Sequence, residues 1–447
     1  MFFEQGLSGL NAAAQSLSVV GKNIANANTV GYKSASINFS DVMSNSLGSN
    51  SSGLSLQTGA GPTNSHIQQS FSQGTISATT NPLDVAINGN GFFRMVDGTT
   101  SDISYTRAGQ FQLDATGGIV NAIGQKLPGY MATNGVINTG ALTPLNLSSF
   151  QTMAQSITSE VSADLNLHAG TTGIDATTST TVSGVTSFAS TFDPTDSTKY
   201  NFSAPTTVYD SLGVSHNLQL YFTKNSTTNT GADSTWNVYS TPATTTSGSN
   251  FSTLGQVNFD ANGGVTTANT IGVDSAKGIA SSLGVAVGTN TFTGVPIDGS
   301  GDLATIDLSA LTQQGAQSYT NSMTQNGYPV GIMSKFYIGN DGQIIGTYTN
   351  GESQTLGKVA LATFASTAGL QALGNNSWLQ TSYSGIATTG APGAGGLGSL
   401  QSSALEMSNV DQTADMVGLL AAQRAFQANA QTIKAEDQIA QTLVNMG

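Results

Sequence analysis

The sequence predicts a mainly β protein with paired terminal α-helices, a nested multi-domain arrangement in which β domains are inserted between the two ends. Three observations lead to this fold class: an apolar stripe with helical spacing at each end, β alternation through most of the sequence between them, and Gly- and Asn-rich turns. Two isolated helices would be marginally stable in water, and neither has an obvious partner in the β regions. We therefore expect the helices to pair with each other and with other chains.

The amino-terminal helix is predicted from a sustained repeat of about 3.5 residues, which is typical of a coiled-coil-like seam. Its apolar positions are spaced alternately by four and by three residues: Phe3, Leu7, Leu10, Ala14, Leu17, Gly21 and Ile24. The stretch "KNIANANTVGYK", residues 22–33, then ends the helix.

The end of this helix is rich in amide side chains, with Asn23, Asn26 and Asn28 followed by Gly31 and Tyr32. Asparagine is a poor helix former because its amide competes for nearby backbone groups. We predict that the amides form hydrogen bonds with backbone groups of neighbouring subunits. Gly31 is expected to supply a turn, and the Tyr32 ring to pack while its hydroxyl forms a hydrogen bond. The alternative is an ordinary amide-rich C-cap within one chain.

The carboxyl-terminal helix is predicted to begin after a cap at Ser408 or Asn409, with Asp411 and Asp415 at the positive end of its dipole. Leu420 is expected to be buried on a face of this helix. Apolar residues at helical spacing mark one face: Leu419, Ala422, Phe426, Ala430, Ile433, Ala440 and Leu443.

The sequence between the helices predicts β hairpins. Turns with Gly and Asn, which tolerate positive φ, are expected at 340–342 and 350–351. A third hairpin over residues 206–222 is predicted to place Val214, Leu218, Leu220 and Phe222 on one face. Tracts dense in Ser, Thr and Gly predict loops around 170–190, 225–250 and 285–300.

The composition is poor in charge. Of 447 residues only 8% are charged, against roughly 25% in typical soluble domains, and the net charge is -13. Clustered Lys and Arg are absent, so nucleic-acid binding is not expected. A nearly neutral, amide-rich surface suits packing against copies of itself, although a secreted adhesin has a similar composition.

Neither a secretory signal nor a membrane span is predicted. The start "MFFEQGLSGL" lacks a basic region and an apolar core, and no apolar run approaches the length of a membrane helix. The chain has no cysteine, which removes disulfide and thiolate chemistry. We expect no membrane insertion, and any export to proceed without a conventional cleaved signal.

No residue pattern predicts an enzyme, a cofactor or a metal site. The glycine-rich "GAGGLG" at 393–398 lacks the strand and helix of a dinucleotide-binding unit and is interpreted as a linker. His66 and His168 stand alone, so no metal-ligand cluster is expected. One hairpin contains the residue types of a hydrolase triad: Asp210, Ser211, Ser215 and His216. The favoured interpretation is that His216 is a packed structural histidine.

Four regions of the sequence resemble a known family. "GLNAAAQSLSVVGKNIANANTVGYK" and "SNVDQTADMVGLLAAQRAFQANAQTIKAEDQ" are similar to the two terminal signatures of the rod and hook group of bacterial flagellar axial proteins. "ISATTNPLDVAINGNGFFRM", followed by "YTRAGQFQLD", is similar to the β region of that group, and "TTVYDSLGVSHNLQLYF" to the inserted outer domain of its hook-type members. These matches cover about half of the chain, and the tracts at 170–200 and 270–320 match nothing.

The resemblance implies a helical inner domain, a β inner domain and an inserted β outer domain. The expected boundaries are 1–30 with 403–447 for the helical inner-tube domain, 31–72 with 386–402 for extended connectors, 73–148 with 322–385 for the first β domain, and 149–321 for the outer domain. Contacts between subunits are expected at both ends: Leu7, Leu10, Leu17, Asn23, Ile24, Asn26, Asn28, Gly31, Tyr32, Leu419, Leu420, Phe426, Ile433 and Leu443.

The function implied is a subunit of the curved, flexible hook tube that carries motor torque to the flagellar filament. The implied partners are other copies of the chain, the distal rod protein, the hook cap, the hook-length control protein, the hook-filament junction protein and the flagellar type III export apparatus. The implied location is extracellular. Two alternatives stay open: a distal-rod-like axial protein with an enlarged outer domain, and a self-associating surface adhesin.

Overall fold

Two helices lie at the ends of the chain in the computed structural model, α1 at Phe2–Ala25 and α2 at Gln412–Asn445. The structure describes residues 2–43, 59–174, 178–182, 185–189, 192–226, 234–241, 251–270, 291–296 and 303–445. Contacts divide the chain into two compact units: unit 1 comprises Met1–Gln151, Met333–Thr347 and Ser353–Gly447, and unit 2 comprises Thr152–Ile332 and Tyr348–Glu352.

Short strands account for most of the remaining described residues, as the alternating pattern predicts. The first eleven are β1 (Ala35–Met43), β2 (Gly59–Gln69), β3 (Ile76–Ala78), β4 (Val85–Asn88), β5 (Phe92–Val96), β6 (Ile103–Thr106), β7 (Phe111–Leu113), β8 (Ile119–Asn121), β9 (Pro128–Thr133), β10 (Val136–Ile137) and β11 (Thr143–Pro144). The next thirteen are β12 (Thr152–Met153), β13 (Glu160–His168), β14 (Thr178–Val182), β15 (Val185–Ala189), β16 (Phe202–Tyr209), β17 (Ser215–Lys224), β18 (Ser234–Thr241), β19 (Ser252–Phe259), β20 (Val265–Thr270), β21 (Thr291–Pro296), β22 (Leu303–Asp307), β23 (Thr312–Gln314) and β24 (Tyr319–Gln325). The last nine are β25 (Gly331–Ile338), β26 (Gln343–Tyr348), β27 (Ser353–Val359), β28 (Leu361–Thr363), β29 (Gln371–Gly374), β30 (Ser377–Leu379), β31 (Thr388–Gly390), β32 (Ser399–Ser402) and β33 (Ala404–Glu406).

Unit 1 combines the helices with several small sheets. One sheet has the strand order β29-β30-β6-β5-β28-β31, and strands from the two halves of the chain also pair as β3 with β33 and β4 with β32. A cluster of edge-to-face aromatic rings fills the core beside the first of these sheets: Phe71, Phe92, Tyr105, Phe364 and Trp378. This interleaving of early and late strands brings the two ends of the chain together, as the nested order predicts.

Unit 2 contains two five-stranded sheets and a large apolar core. One sheet is an antiparallel meander, β16-β17-β18-β19-β20, and the other has the order β21-β22-β13-β23 with β24 also paired to β13. Alternation along β17 buries Leu218, Leu220 and Phe222, and Trp236 on β18 is also fully buried. Val214, which was predicted to share their face, is 52% exposed because it lies in the turn before the strand.

Both predicted glycine turns are present. Gly342 and Gly351 adopt φ of 83° and 88°, and they lie between β25 and β26 and between β26 and β27. An L side chain rarely adopts such angles, which is why Gly occupies them. The loop tracts predicted at 170–190, 225–250 and 285–300 contain strands where the structure describes them: β14 and β15 in the first, β18 in the second and β21 in the third. The loop prediction was wrong for these strands because Ser- and Thr-rich segments also pair in sheets, as β14 does with β15. The other residues of these tracts lie partly outside the described residues.

The ranges predicted as extended connectors form paired strands. β1 pairs with β2 within 31–72, and β31 and β32 of the second range pair with β28 and β4. β33 also precedes α2, so the range 403–447 is helical only from Gln412 onward. Extended backbone was anticipated, whereas its pairing depends on strands far away in the sequence.

Candidate self-association surface

The two terminal helices pack against each other in antiparallel register. A Cβ atom placed on Gly6 would lie 3.0 Å from Cγ1 of Ile433, and one on Gly9 would lie 2.9 Å from the amide nitrogen of Asn429. At the other end of the pair, Gly418 faces Val20. Small residues at the contact let the two backbones approach closely. α1 also contacts β1 and β2, so it does have a partner in the β regions, contrary to the expectation from sequence.

This packing divides the predicted apolar residues between two environments. Leu10, Leu17 and Ile24 on α1, and Leu419 and Ile433 on α2, are half-buried. Leu7, Leu420 and Phe426 are exposed by 44%, 54% and 38%. Leu420 and Phe426 were predicted to be buried, and a single chain does not bury them. The side chain of Leu443 lies outside the described residues.

The exposed side of α2 carries large apolar side chains near its start. Met416 and Val417 are 55% and 64% exposed, and Leu420 follows one turn later. These three residues lie on one side of α2 and are called here the outer helix face. Exposed apolar side chains that share one face mark a contact surface more often than isolated ones do.

The amide-rich end of α1 is bonded within the chain. Asn23 is buried; its amide donates to the carbonyl of Ala35 at 2.9 Å, and its side-chain oxygen accepts from the Ala35 N–H at 3.0 Å and from the Tyr32 hydroxyl at 3.3 Å. The Asn26 amide donates to the carbonyl of Lys22 at 2.8 Å. Asn23 and Asn26 thus form hydrogen bonds within their own chain, as expected for the alternative of an ordinary amide-rich C-cap. Asn28 is exposed, and its contact with a neighbouring subunit stays a prediction.

Gly31 and Tyr32 turn the chain away from α1. Gly31 has φ of 70°, its N–H donates to the carbonyl of Glu406 at 2.8 Å, and a Cβ here would lie 2.5 Å from the Ala108 nitrogen. Tyr32 is half-buried, and burial raises the pKa of its hydroxyl. The predicted turn is therefore required both by its backbone angle and by a close approach to a second segment.

The start of α2 is capped by Asp411 rather than by Ser408 or Asn409. The carboxylate of Asp411 accepts from the N–H groups of Thr413 and Ala414, both at 3.0 Å. Asn409 instead accepts from the N–H of Ser34 at 2.7 Å. The predicted cap was wrong because Asn409 ties the two terminal segments together, which local sequence does not reveal.

A buried cluster of charges lies where the two terminal segments meet the β core. Glu406 accepts from Lys33 Nζ at 2.7 Å, from Arg107 Nη1 at 3.2 Å, and from the N–H of Gly74 at 2.9 Å. Lys33 also donates to the carbonyl of Ser72 at 2.7 Å. The side chains of Lys33 and Glu406 are fully buried and that of Arg107 is 4% exposed.

This cluster holds two cations against one carboxylate. Burial lowers the pKa of Lys33 and of Arg107, and the Glu406 charge opposes both shifts. The Arg107 guanidinium lies 5.2 Å from the centre of the Phe92 ring, and its Nε has no hydrogen-bond partner among the described residues. No local sequence pattern predicts the cluster, because its three members are far apart along the chain. The available signal in the sequence was that charged residues, such as these three, are rare in this chain.

The candidates for other chemistry have structural roles. The glycines of 393–398 form turns between β31 and β32, where no helix follows. His216 bonds Asp210 through Nε2 at 3.0 Å, and Asp210 also accepts from the N–H groups of Leu212 and Val214. These bonds fix the turn before β17. The described residues contain no group of three side chains able to hold a metal, and neither described helix is long and apolar enough to cross a membrane.

Four family models match successive parts of the chain. They are the flagella basal body rod protein model at residues 3–33, the flagellar hook protein FlgE/F/G D1 domain at 86–174, the flagellar basal body protein FlaE D2 domain at 173–328, and the flagellar basal body rod FlgEFG protein C-terminal model at 401–446. The D2 match covers most of the two tracts that resembled nothing at the level of sequence patterns.

Relatives match over the full length. The flagellar hook protein FlgE of Escherichia coli (strain K12) is 38% identical over 452 residues, covering 100% of both chains. That of Borreliella burgdorferi is 31% identical, covering 99% of this chain and 98% of the relative. A crystal structure of Helicobacter pylori flagellar hook protein FlgE2 shares the fold, with a TM-score of 0.50, 14% identity, and coverage of 74% of this chain and all of that one. The chain therefore belongs to the flagellar hook protein FlgE family.

Proposed function

We propose that this chain, as a hook subunit, polymerises through the outer helix face into a curved, flexible tube that transmits motor torque to the filament. The observation that carries the proposal is the group of exposed apolar side chains on a helix pair whose inner side is already closed. Met416, Val417 and Leu420 are each more than half exposed. Burying them against a neighbour supplies the hydrophobic driving force for assembly.

The low charge of the chain supports close packing of many copies. With 8% charged residues, few ions lose their hydration or repel each other when identical surfaces meet. Asn28 is exposed at the end of α1 and can form amide hydrogen bonds with a neighbouring copy without bringing a charge into the contact.

The buried charge cluster supports a role in carrying load. Lys33 follows α1, Glu406 precedes α2, and Arg107 comes from the β core, so the three side chains join both helix segments to the core at one place. Torque on a subunit passes through this junction, and the ion pairs resist separation of its parts. We propose that the nested domain order given above describes the assembled subunit, with paired strands in the connector ranges and helix only from Gln412 onward.

The remaining partners are proposed by family likeness: the distal rod protein, the hook cap, the hook-length control protein, the hook-filament junction protein and the type III export apparatus. The proposed location is the extracellular hook. The family is a structural one, and we propose no catalytic role, cofactor, nucleic-acid partner or membrane insertion.

Assembly of the purified chain tests the proposal. Electron microscopy of the concentrated protein should show tubes, and curved tubes rather than straight ones set the hook role apart from a distal-rod role. Burying the exposed half of Leu420 is worth about 1 to 1.5 kcal/mol, so Leu420→Ala should raise the critical concentration about tenfold. Gln423→Ala, one turn later and also exposed, is the matched control. Assembly of Leu420→Ala at the wild-type concentration would show that this face stays in solvent.

A further inference from the structure

In one loop of unit 1, residues 380–387, two large apolar side chains are almost fully exposed to solvent. Tyr383 is 87% exposed and Ile386 is 84% exposed, the highest values among the large hydrophobic side chains that the structure describes. Neither residue belongs to the helices, and neither was singled out by the sequence. Such exposure is unfavourable in water unless a partner covers it.

The loop that carries them is held rigidly at its base. The Thr381 hydroxyl donates to the carbonyl of Gly369 at 2.6 Å, and the fully buried Ser384 hydroxyl bonds the carbonyls of Thr381 and Gly385 at 2.9 and 3.1 Å. The Thr381 N–H in turn donates to the Ser384 hydroxyl at 2.9 Å. The exposed side chains are therefore presented by a preorganised loop, which lowers the entropy that binding costs.

The hairpin that directly precedes the loop in sequence also exposes apolar side chains. Leu379 at the end of β30 and Leu373 on β29 are 36% and 55% exposed, while Trp378 between them on the strand pair points inward and is buried. Leu373, Leu379, Tyr383 and Ile386 together are called here the Tyr383 patch. Tyr is one of the residue types enriched in interface hot spots, so Tyr383 is the anchor of this patch.

The charge of the surrounding sequence limits the kind of partner. Residues 359–405 contain no Asp, Glu, Lys, Arg or His, so the segment offers no ionic attraction to nucleic acid, an anionic lipid or a charged peptide. It fits a surface that is equally poor in charge. With only 8% charged residues, a second copy of this chain meets that requirement.

We propose that the Tyr383 patch is a second self-contact, which packs against a neighbouring copy of this chain at a place separate from the outer helix face. The contact is heterologous: the patch of one subunit meets a different surface of the next, the type of contact that builds helical tubes. The inference rests on the polymerisation proposed above and adds an interface in the β part of unit 1.

The absence of cysteine makes the test direct, because Ile386→Cys introduces the only thiol. A water-soluble maleimide should label that thiol rapidly in the monomer and at least about tenfold more slowly in sedimented tubes. In parallel, the double variant Tyr383→Ser with Ile386→Ser should raise the critical concentration roughly thirtyfold or more, as loss of a hot spot does. Tyr383→Phe, which keeps the ring, should assemble like wild type, and the thermal melting of all monomers should be alike.

The outcomes separate this inference from the proposed function. Tubes of the Ile386→Cys variant whose thiol is labelled as fast as in the monomer, or normal assembly of the double serine variant, would overturn the Tyr383 contact and leave the helix contact standing. Failure of the wild-type chain to form any tubes would overturn both. Protection of the thiol only after addition of another flagellar protein would assign the patch to that partner and refute the self-contact.

Discussion

Replacing Glu406 with alanine should destabilise unit 1 more than any exposed charge change. The carboxylate accepts three hydrogen bonds, from Lys33, Arg107 and the N–H of Gly74. Its removal leaves two cations in a site where the Lys33 and Glu406 side chains have no exposure to solvent. Breaking a buried ion pair by deleting one partner costs about 3 to 5 kcal/mol, because the remaining charge loses its compensation.

The asymmetry of the cluster gives a sharper form of this prediction. Lys33→Met leaves the Arg107–Glu406 pair, with one charge of each sign, and removes an amine whose pKa burial already lowers. Glu406→Ala leaves two charges of the same sign. The free energy of unfolding should therefore fall further for Glu406→Ala than for Lys33→Met, although both remove the 2.7 Å contact.

Differential scanning calorimetry of the monomer measures the effect. A loss of 3 to 5 kcal/mol lowers Tm by about 6 to 20 °C for a unit of this size. The transition of unit 2 serves as an internal reference, since it contains none of the three residues. Asp341→Asn, which removes a 3.6 Å ion pair with Lys358 at a half-exposed carboxylate, is the matched control and should cost less than about 1 kcal/mol.

Two results would refute the reasoning. A Tm for Glu406→Ala equal to that of Asp341→Asn would mean that the cluster is hydrated and contributes little. A larger loss for Lys33→Met than for Glu406→Ala would mean that packing of the lysine stem, and not charge compensation, dominates the site.

Two further predictions concern a glycine turn and a carboxylate. Gly31→Ala should lower the free energy of unfolding by about 1 to 3 kcal/mol, because the φ of Gly31 is 70° and the new Cβ would meet Ala108. Gly21→Ala is the control: it lies at an open position within α1 and should raise the free energy of unfolding by about 0.5 to 1 kcal/mol. Urea unfolding measures both changes, and equal effects would contradict the assigned turn. His216 holds the pKa of Asp210 below its ordinary value of 3.8, so that carboxylate contributes stability above about pH 4, and the contribution is lost as the pH falls through the lowered folded-state value. Asp210→Asn should flatten this acid dependence of unit 2 melting below about pH 4, and an unchanged slope would count against it.

The sequence by itself determined the elements with local or periodic causes. The 3.5-residue repeat is enough to specify α1 because helix faces recur along one segment. Gly342 and Gly351 specify their turns because only glycine adopts such angles readily. The long terminal signatures also determined the family, since they lie in continuous segments.

Only the tertiary structure decided which surfaces are closed and which remain open. The antiparallel register of α1 and α2 buries part of each apolar stripe and leaves Leu420 outside, because a helix pair closes only the facing sides. Lys33, Arg107 and Glu406 converge because β3 pairs with β33, a contact between strands more than three hundred residues apart. Such convergence depends on long-range pairing, which no local pattern encodes. The same holds for the exposure of Tyr383, which depends on the bonds at the base of its loop.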